Sequence, residues 1–377
     1  MDGGPVRRSA NHYIPILKAR LGEFYALDHI RQEMAPNFTP LIEFVPTGDE
    51  LDDDGEPISD RVTATVRKTA ERLAKNWPEP TDVIIDLHAL PSINGYYPVA
   101  EVIDQFFTED RTQVIPTCRP GDATDDRLMD RLRLSLSNFE TRATCIRLSD
   151  EDLDERDEPI STTLDRLLEK LDISADHVDL ILDFGAVNET TASFAARIAR
   201  LIILDLPHLD EWRSLTLAAG GFPSNLDDVS PETLTEVPRW ELTTWRNVRD
   251  RLRGRSRVPT FGDYAVAYPG QLAPVPFAPA PQIRYTAAEG WLVLKGRKNN
   301  RRGNNQFLDI CHAIAQHAEF TPELSWGDER IADNAQYANQ DPAPQAAKPG
   351  NAMVWRAIGT SHHIAHVVNR LSTAGEP

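Results

Sequence analysis

The sequence predicts an α/β fold, a closed (β/α)8 barrel of the TIM type with a hairpin-plus-helix extension over its mouth. Three observations predict it. Short β-type runs alternate with amphipathic helix patterns, and the alternation occurs eight times at intervals of roughly 30 to 45 residues. Eight units favour closure over an open doubly wound sheet. No G-x-G-x-x-G follows the first run, which weakens the dinucleotide-binding alternative.

The units read as follows. "YIPILKA" (13–19) precedes the helix pattern "GEFYALDHIRQEMA". "TPLIEFVP" (39–46) precedes an acidic loop and "RVTATVRKTAERLAKNW". "DVIIDLHAL" (82–90) precedes "PVAEVIDQFF", and "QVIPTCRP" (113–120) precedes "DDRLMDRLRLSLSNF". "TCIRLS" (144–149) leads to "STTLDRLLEKLD", "VDLILDFGAV" (178–187) to "TTASFAARIARLII", and "SLTLAAGGFP" (214–223) to "LTTWRNVRDRLRG". "TFGDYAVAYP" (260–269) is the eighth run. The pattern then changes, so the expected division is a barrel over 1–270 and an extension over 271–377 packed on it as one structural unit. A proline-rich connector, "PGQLAPVPFAPAPQ", opens the extension. "IRYTAAEGWLVLKGR" reads as a hairpin turning at Gly290, and "NQFLDICHAIAQHA" as a helix. "NAMVWRAIGTSHHIAHVVNRL" reads as one long helix or as two broken near Gly359.

Composition narrows the function. The 377 residues are 41% hydrophobic, enough for a large core without metal or disulfide staples. A formal net charge of -18 works against non-specific binding to nucleic acid or an anionic membrane. No apolar run approaches the roughly 20 residues of a membrane span, and "MDGGPVRRSANH" lacks the apolar segment of a secretory signal. Three cysteines, an odd and sparse number, suggest a reducing compartment, so the expected location is the cytoplasm. The charge is uneven. "TGDELDDDGEPISD" and "SDEDLDERDEP" are acidic blocks, whereas Trp240 to Arg302 holds twelve Lys or Arg against four Asp or Glu. That local excess could receive an anion.

Many runs carry a polar residue near their C-terminal end: Lys18, Glu43, Asp86 with His88, Arg119, Arg147, Asp183 and Asp263. The seventh ends in Gly220-Gly221, where bare backbone could approach a ligand. Ile16 and Lys18, Leu41 and Glu43, Ile84 and Asp86, and Ile181 and Asp183 are each two apart, so each pair shares a face. In a parallel barrel these ends form one rim, the rim where such enzymes work. Lys18, Glu43, Asp86, Asp183 and Asp263 are therefore the catalytic candidates. Glu43, Asp86 and Asp183 are the candidates for a divalent ion, magnesium or manganese. That is equipment for phosphoryl or phosphodiester chemistry, in which carboxylates hold metal or act as base and cations stabilise developing charge. The substrate would be a small phosphate or a nucleic-acid end. A structural reading stands beside this one, with Arg119 and Arg147 neutralising Asp86 and Asp183 as buried ion pairs.

Arg119, Arg147, Tyr285, Lys295, Arg297, Trp326 and Asp328 are the substrate-binding candidates. "KGRKNNRRGNNQ" is either a solvated basic loop or a lid that grips phosphate. In "SWGDERIAD", Ser325 or Gly327 can start a helix with Asp328 and Glu329 in its first turn, while Trp326 can stack a planar group. "GTSHHIAHVV" places His362, His363 and His366 within five residues. It lacks the glutamate of H-E-x-x-H. A metal site, an anion site at a helix start formed by Gly359, Thr360 and Ser361, and packing beside Trp355, Ile364, Val367 and Val368 all remain open.

"YIPILKARLGEFYAL", "TPLIEF", "VIIDLH", "DLILDFG", "FGDYAV", "WLVLKGR", "SWGDERI" and "GTSHHI", in this order and spacing, resemble the phage "beta protein" family. The similarity runs from about residue 12 to residue 370, apart from the acidic insert at 49–60. The resemblance implies a bacteriophage, prophage or mobile-element setting and a part in phage–host conflict or phage defence. It supplies no catalytic residues. Two function classes follow: a phosphate-ester hydrolase, and a non-catalytic module that recognises a host or phage component, such as a protein partner. Neither needs a membrane.

Overall fold

The chain is seen in a computed structural model that describes residues 6–52, 55–75, 82–91, 98–106, 114–137, 143–154, 158–271 and 279–377. The eight runs close into a parallel barrel. Its strands are β1 (Tyr13–Lys18), β2 (Leu41–Glu43), β3 (Val83–Asp86), β4 (Val114–Cys118), β5 (Thr144–Leu148), β6 (Val178–Ala186) and β7 (Ser214–Gly220). β8 (Thr235–Pro238) lies outside the barrel, and β9 (Thr260–Asp263) closes the ring between β7 and β1. Both faces of these strands are covered, which is why they read as continuous apolar runs. Ile14, Ile16, Leu41, Ile84, Ile115, Cys145, Ile181 and Ala218 fill the interior. The alternate residues, among them Leu17, Ile42, Ile85, Ile146 and Leu180, meet the helices outside.

The helical wall is built from the 3.6-residue period. α1 (Leu21–Leu27), α2 (Ser59–Lys75), α3 (Val99–Phe106), α4 (Asp126–Ser137), α5 (Asp150–Asp154), α6 (Ile160–Leu171), α7 (Ala192–Asp205) and α8 (Trp240–Leu252) follow their strands. In α2, Val62, Val66, Ala70 and Leu73 form the stripe laid on the barrel. Each such Val or Leu contributes roughly 1.5–3 kcal/mol by leaving water.

The residues after 270 divide between two places. β10 (Gln282–Thr286) and β11 (Gly290–Lys295) form the expected hairpin, and β11 also pairs antiparallel with β8. β8 lies in the connection after β7, and β10 in the one after β9, so this small sheet grows from the C-terminal ends of barrel strands. α9 (Gln306–Ala315) and α10 (Trp326–Ala335) back it, with Ile283, Tyr285, Leu294, Phe307 and Ile331 in a separate core. α11 (Ala352–Ala374) returns to the barrel wall. Its Ile364, Val367, Val368 and Leu371 join the outer core, and it lies against α1. Beyond its end, Glu376 accepts from Arg246 at 3.0 Å and Arg249 at 2.7 Å on α8. α11 is therefore the eighth wall helix, separated from its strand by the small sheet.

α11 is one helix, not two. Its start is capped by Asn351, whose side chain accepts from the N–H groups of Met353 and Val354. Gly359 does not break it. Gly359 admits a neighbour: a Cβ there would lie 2.8 Å from the Arg284 carbonyl oxygen of β10. Of the three readings of this stretch, the anion site at a helix start formed by Gly359–Ser361 is ruled out, because the amides there are inside a continuous helix. The proline-rich connector falls outside the described residues at 272–278, as do residues 53–54 and 155–157 of the acidic blocks. No described helix is long and apolar enough to cross a membrane. Cys118, Cys145 and Cys311 are buried and unpaired.

Candidate functional site

At the C-terminal end of the barrel the inward-facing positions change from apolar to charged. The register sets Lys18 beside Glu43 and Glu43 beside Asp86. Across from them, Arg147 of β5 reaches into the centre. Its Nη1 donates to Glu43 Oε1 at 2.9 Å and Asp86 Oδ2 at 2.6 Å. Nε and Nη2 donate to Asp183 Oδ2 at 2.9 and 2.5 Å, and Nη2 also donates to the Tyr264 hydroxyl at 2.8 Å. That accounts for all five guanidinium donors, so Arg147 has none left for a ligand. Its side chain is 4% exposed.

The acids are saturated in their turn. A carboxylate offers about four lone-pair sites. Asp86 Oδ1 accepts from the His88 N–H and ring Nδ1, and its Oδ2 from Arg119 and Arg147. Asp183 Oδ2 accepts from Arg147 and from Tyr264, and its Oδ1 from the Gly185 N–H. Glu43 alone keeps an oxygen without a bond among the described residues, and its side chain is 12% exposed. The expected magnesium or manganese ion does not fit between Glu43, Asp86 and Asp183, because the Arg147 guanidinium stands there. Among the described residues no group of three His, Cys, Asp or Glu is placed to hold a metal ion.

A second tier faces outward. His88 lies between two acids, with Nδ1 2.7 Å from Asp86 and Nε2 2.9 Å from Asp122. Burial alone would lower its pKa, but the two carboxylates raise it to about 9. Asp86 shows the reverse balance: burial would raise it, while His88, Arg119 and Arg147 hold it well below the usual carboxylate range. Burial pushes Glu43 up, with Arg147 opposing and Asp86 adding to the rise. Lys18 is lowered, first by burial, and Glu43 partly offsets this. Lys18 Nζ donates to the carbonyls of Tyr268, at 3.1 Å, and Gly270, so it ties the loop after β9 across the mouth. Arg119 is the most open of these cations, at 28% exposure. Gly220 and Gly221 are covered by protein, Pro269 on one and the start of α8 on the other.

Asp263 does not join this rim. In β9 it is Thr260 and Gly262 that face inward, so Asp263 faces the wall. There it accepts from Tyr13 OH at 2.5 Å and meets His363 Nε2 at 2.8 Å. The histidines are part of the same lock. His363 Nδ1 is 2.8 Å from Thr286 Oγ1. His362 Nε2 donates to the Thr286 carbonyl at 2.8 Å, and Nδ1 lies 3.1 Å from Asp328. His366 is buried with Nε2 unbonded. His362 and His363 therefore bind α11 to β9, β10 and α10, and His366 packs beside His362 with ring centroids 5.6 Å apart.

The remaining candidates lie away from the mouth. Tyr285 donates to Asp328 at 2.9 Å and stacks on His362, with ring centroids 3.8 Å apart. Asp328 is fully buried, and Ser325 caps α10 as its sequence suggests. Trp326 packs against Tyr25 and His29. Lys295 donates to the Leu226 carbonyl, Arg297 pairs with Glu232 at 2.9 Å, and Arg302 pairs with Asp309. Sequence reasoning missed Tyr264 and Asp122. The signal for Tyr264 was parity with Thr260 and Gly262. Asp122 gave none, since it enters from the turn after β4.

The model of the Beta protein family matches residues 13–369. No curated protein matches the chain. The match spans nearly the whole barrel and the small sheet, so the chain belongs to the Beta protein family.

Proposed function

We propose that this member of the Beta protein family serves a phage or mobile element in the cytoplasm as a recognition module, whose barrel mouth binds a host or phage component without metal-dependent turnover. One observation carries the reading: Asp86 and Asp183 each accept four hydrogen bonds from the protein, and Arg147 spends every donor on the ring. Such a ring is preorganised and electrically balanced, and it does not need a cation. What faces outward is a mixed set, Arg119, Asp122 and one Glu43 oxygen, suited to a partner that offers both donors and acceptors. Titration of magnesium, manganese and zinc against thermal unfolding tests it. No metal should stabilise the wild type. Stabilisation by manganese that disappears in Asp86→Asn would overturn the reading.

A second reading rests on Glu43, the acid with an open oxygen and a raised pKa. Glu43 would be a general acid or base for a phosphate ester or nucleic-acid end, with Arg119 and Lys18 stabilising negative charge. Product release from a nucleotide and oligonucleotide panel, lost in Glu43→Gln, would support it.

A further inference from the structure

A second place on the molecule carries more positive charge than the protein itself neutralises. A partly open cavity of about 110 Å³ lies between the loop after β9, β10 and the start of α11. Arg284, Arg356, Gln282, Trp355, Ala352 and Val266 line it. On β10, Ile283 and Tyr285 face the small sheet's core, so Arg284 is turned to the other side. Its guanidinium lies over the Phe222 ring at 4.2 Å. It donates one bond among the described residues, from Nη1 to the Val266 carbonyl at 2.7 Å. Arg356 Nη1 donates to the same carbonyl at 3.2 Å.

Two guanidinium groups thus share one neutral acceptor. One carboxylate, Glu23, pairs with Arg356 at 4.0 Å, so a single acid stands against two cations. Burial, with Arg356 beside it, pushes Arg284 well below the usual arginine range. Like charges brought together in a partly dry site are costly unless an anion accompanies them. The 23-residue α11 begins at Ala352 on the cavity wall, which adds the positive end of a helix. Arg284 keeps donors that no described residue uses, and a forked guanidinium matches an oxyanion with two parallel bonds. The volume equals several waters, room for a five-atom oxyanion.

From the two arginines converging on one cavity at the start of α11, we infer a binding site for a phosphate group. It is separate from the mouth and does not depend on the reading of the mouth given above. The phosphate is either free or borne by a larger ligand, with the Trp355 side of the cavity as apolar wall.

The test is thermal unfolding of the full chain in inorganic phosphate against chloride at matched ionic strength. Phosphate should raise the midpoint saturably at millimolar concentration. A general salting effect would instead grow without saturation. The saturable rise should be lost in Arg284→Gln and in Arg356→Gln, and kept in Arg119→Gln at the mouth. Because Arg356 is the more open of the pair, its variant remains informative should Arg284→Gln fail to fold. Tighter binding of phenyl phosphate than of phosphate would identify an ester as the ligand, and the reverse order would identify the free ion. No saturable rise in the wild type, or a rise that survives in either folded arginine variant, overturns the site.

Discussion

Arg147 on β5 and Asp183 on β6 are joined by two hydrogen bonds to one carboxylate oxygen, 2.9 Å from Nε and 2.5 Å from Nη2. The same guanidinium holds Glu43 and Asp86, so one cation restrains three acids. Arg147→Met should leave those acids facing one another and cost about 3–5 kcal/mol at neutral pH. Urea unfolding measures it. The loss should shrink toward pH 4, where Glu43, already pushed up by burial, takes up a proton. A loss under about 1 kcal/mol would mean that the ring does not depend on its centre.

His88 sets an alkaline limb. Its folded pKa of about 9 exceeds the ordinary value of 6.5, so the folded state holds the proton more tightly. The stabilisation is complete below pH 6.5 and is lost as pH rises through 9, by an amount on the order of 3 kcal/mol. His88→Gln should flatten stability across that window. An unchanged slope in the variant would assign the limb to another group.

Buried neutral histidines set an acid limb. Burial lowers His363 and His366, and it brings His12 down to about 3 with Arg8 assisting. The unfolded chain takes up these protons first, so stability should fall as pH drops below about 6.5. His366→Leu removes one such proton and one unbonded buried nitrogen. It should stabilise the protein by about 1 kcal/mol at pH 7 and by more at pH 5. Equal stability of wild type and variant at both pH values would contradict this.

Gly359→Ala sets two effects against each other. Alanine favours a helix over glycine by about 1 kcal/mol. The new Cβ would lie 2.8 Å from the Arg284 carbonyl, and overpacking of this kind costs roughly 1–3 kcal/mol. Contact should win, and urea unfolding should show a net loss. A gain in stability would show that β10 can retreat from the helix.

Much of the barrel was legible because its strands obey a local rule. Each inward acid of β2, β3 and β6 sits two residues after an apolar inward residue, and parity alone finds it. Asp263 was misplaced because Gly262 occupies the inward position without a side chain, so the next polar residue looked like the rim. β8 carries four alternately half-buried and exposed residues and gains its partner from β11, more than fifty positions away. Local pattern cannot report such a pairing. The histidines of α11 looked functional for the same reason. Their partners, Thr286, Asp263, Tyr13 and Asp328, come from distant segments. At the mouth, the residue types were readable but their saturation was not, because it depends on one arginine reaching three strands.

The Tyr13 hydroxyl meets His363 at 3.1 Å across 350 positions of chain. During synthesis, at about 5–20 residues per second, the first strand therefore waits roughly 20 to 70 s for the helix that will cover it. Through that interval the outer core lacks Ile364, Val367, Val368 and Leu371, the apolar residues that α11 brings to it. A nascent chain paused within the small sheet is a barrel short of its last stave, with apolar surface beside α1 that the finished molecule covers.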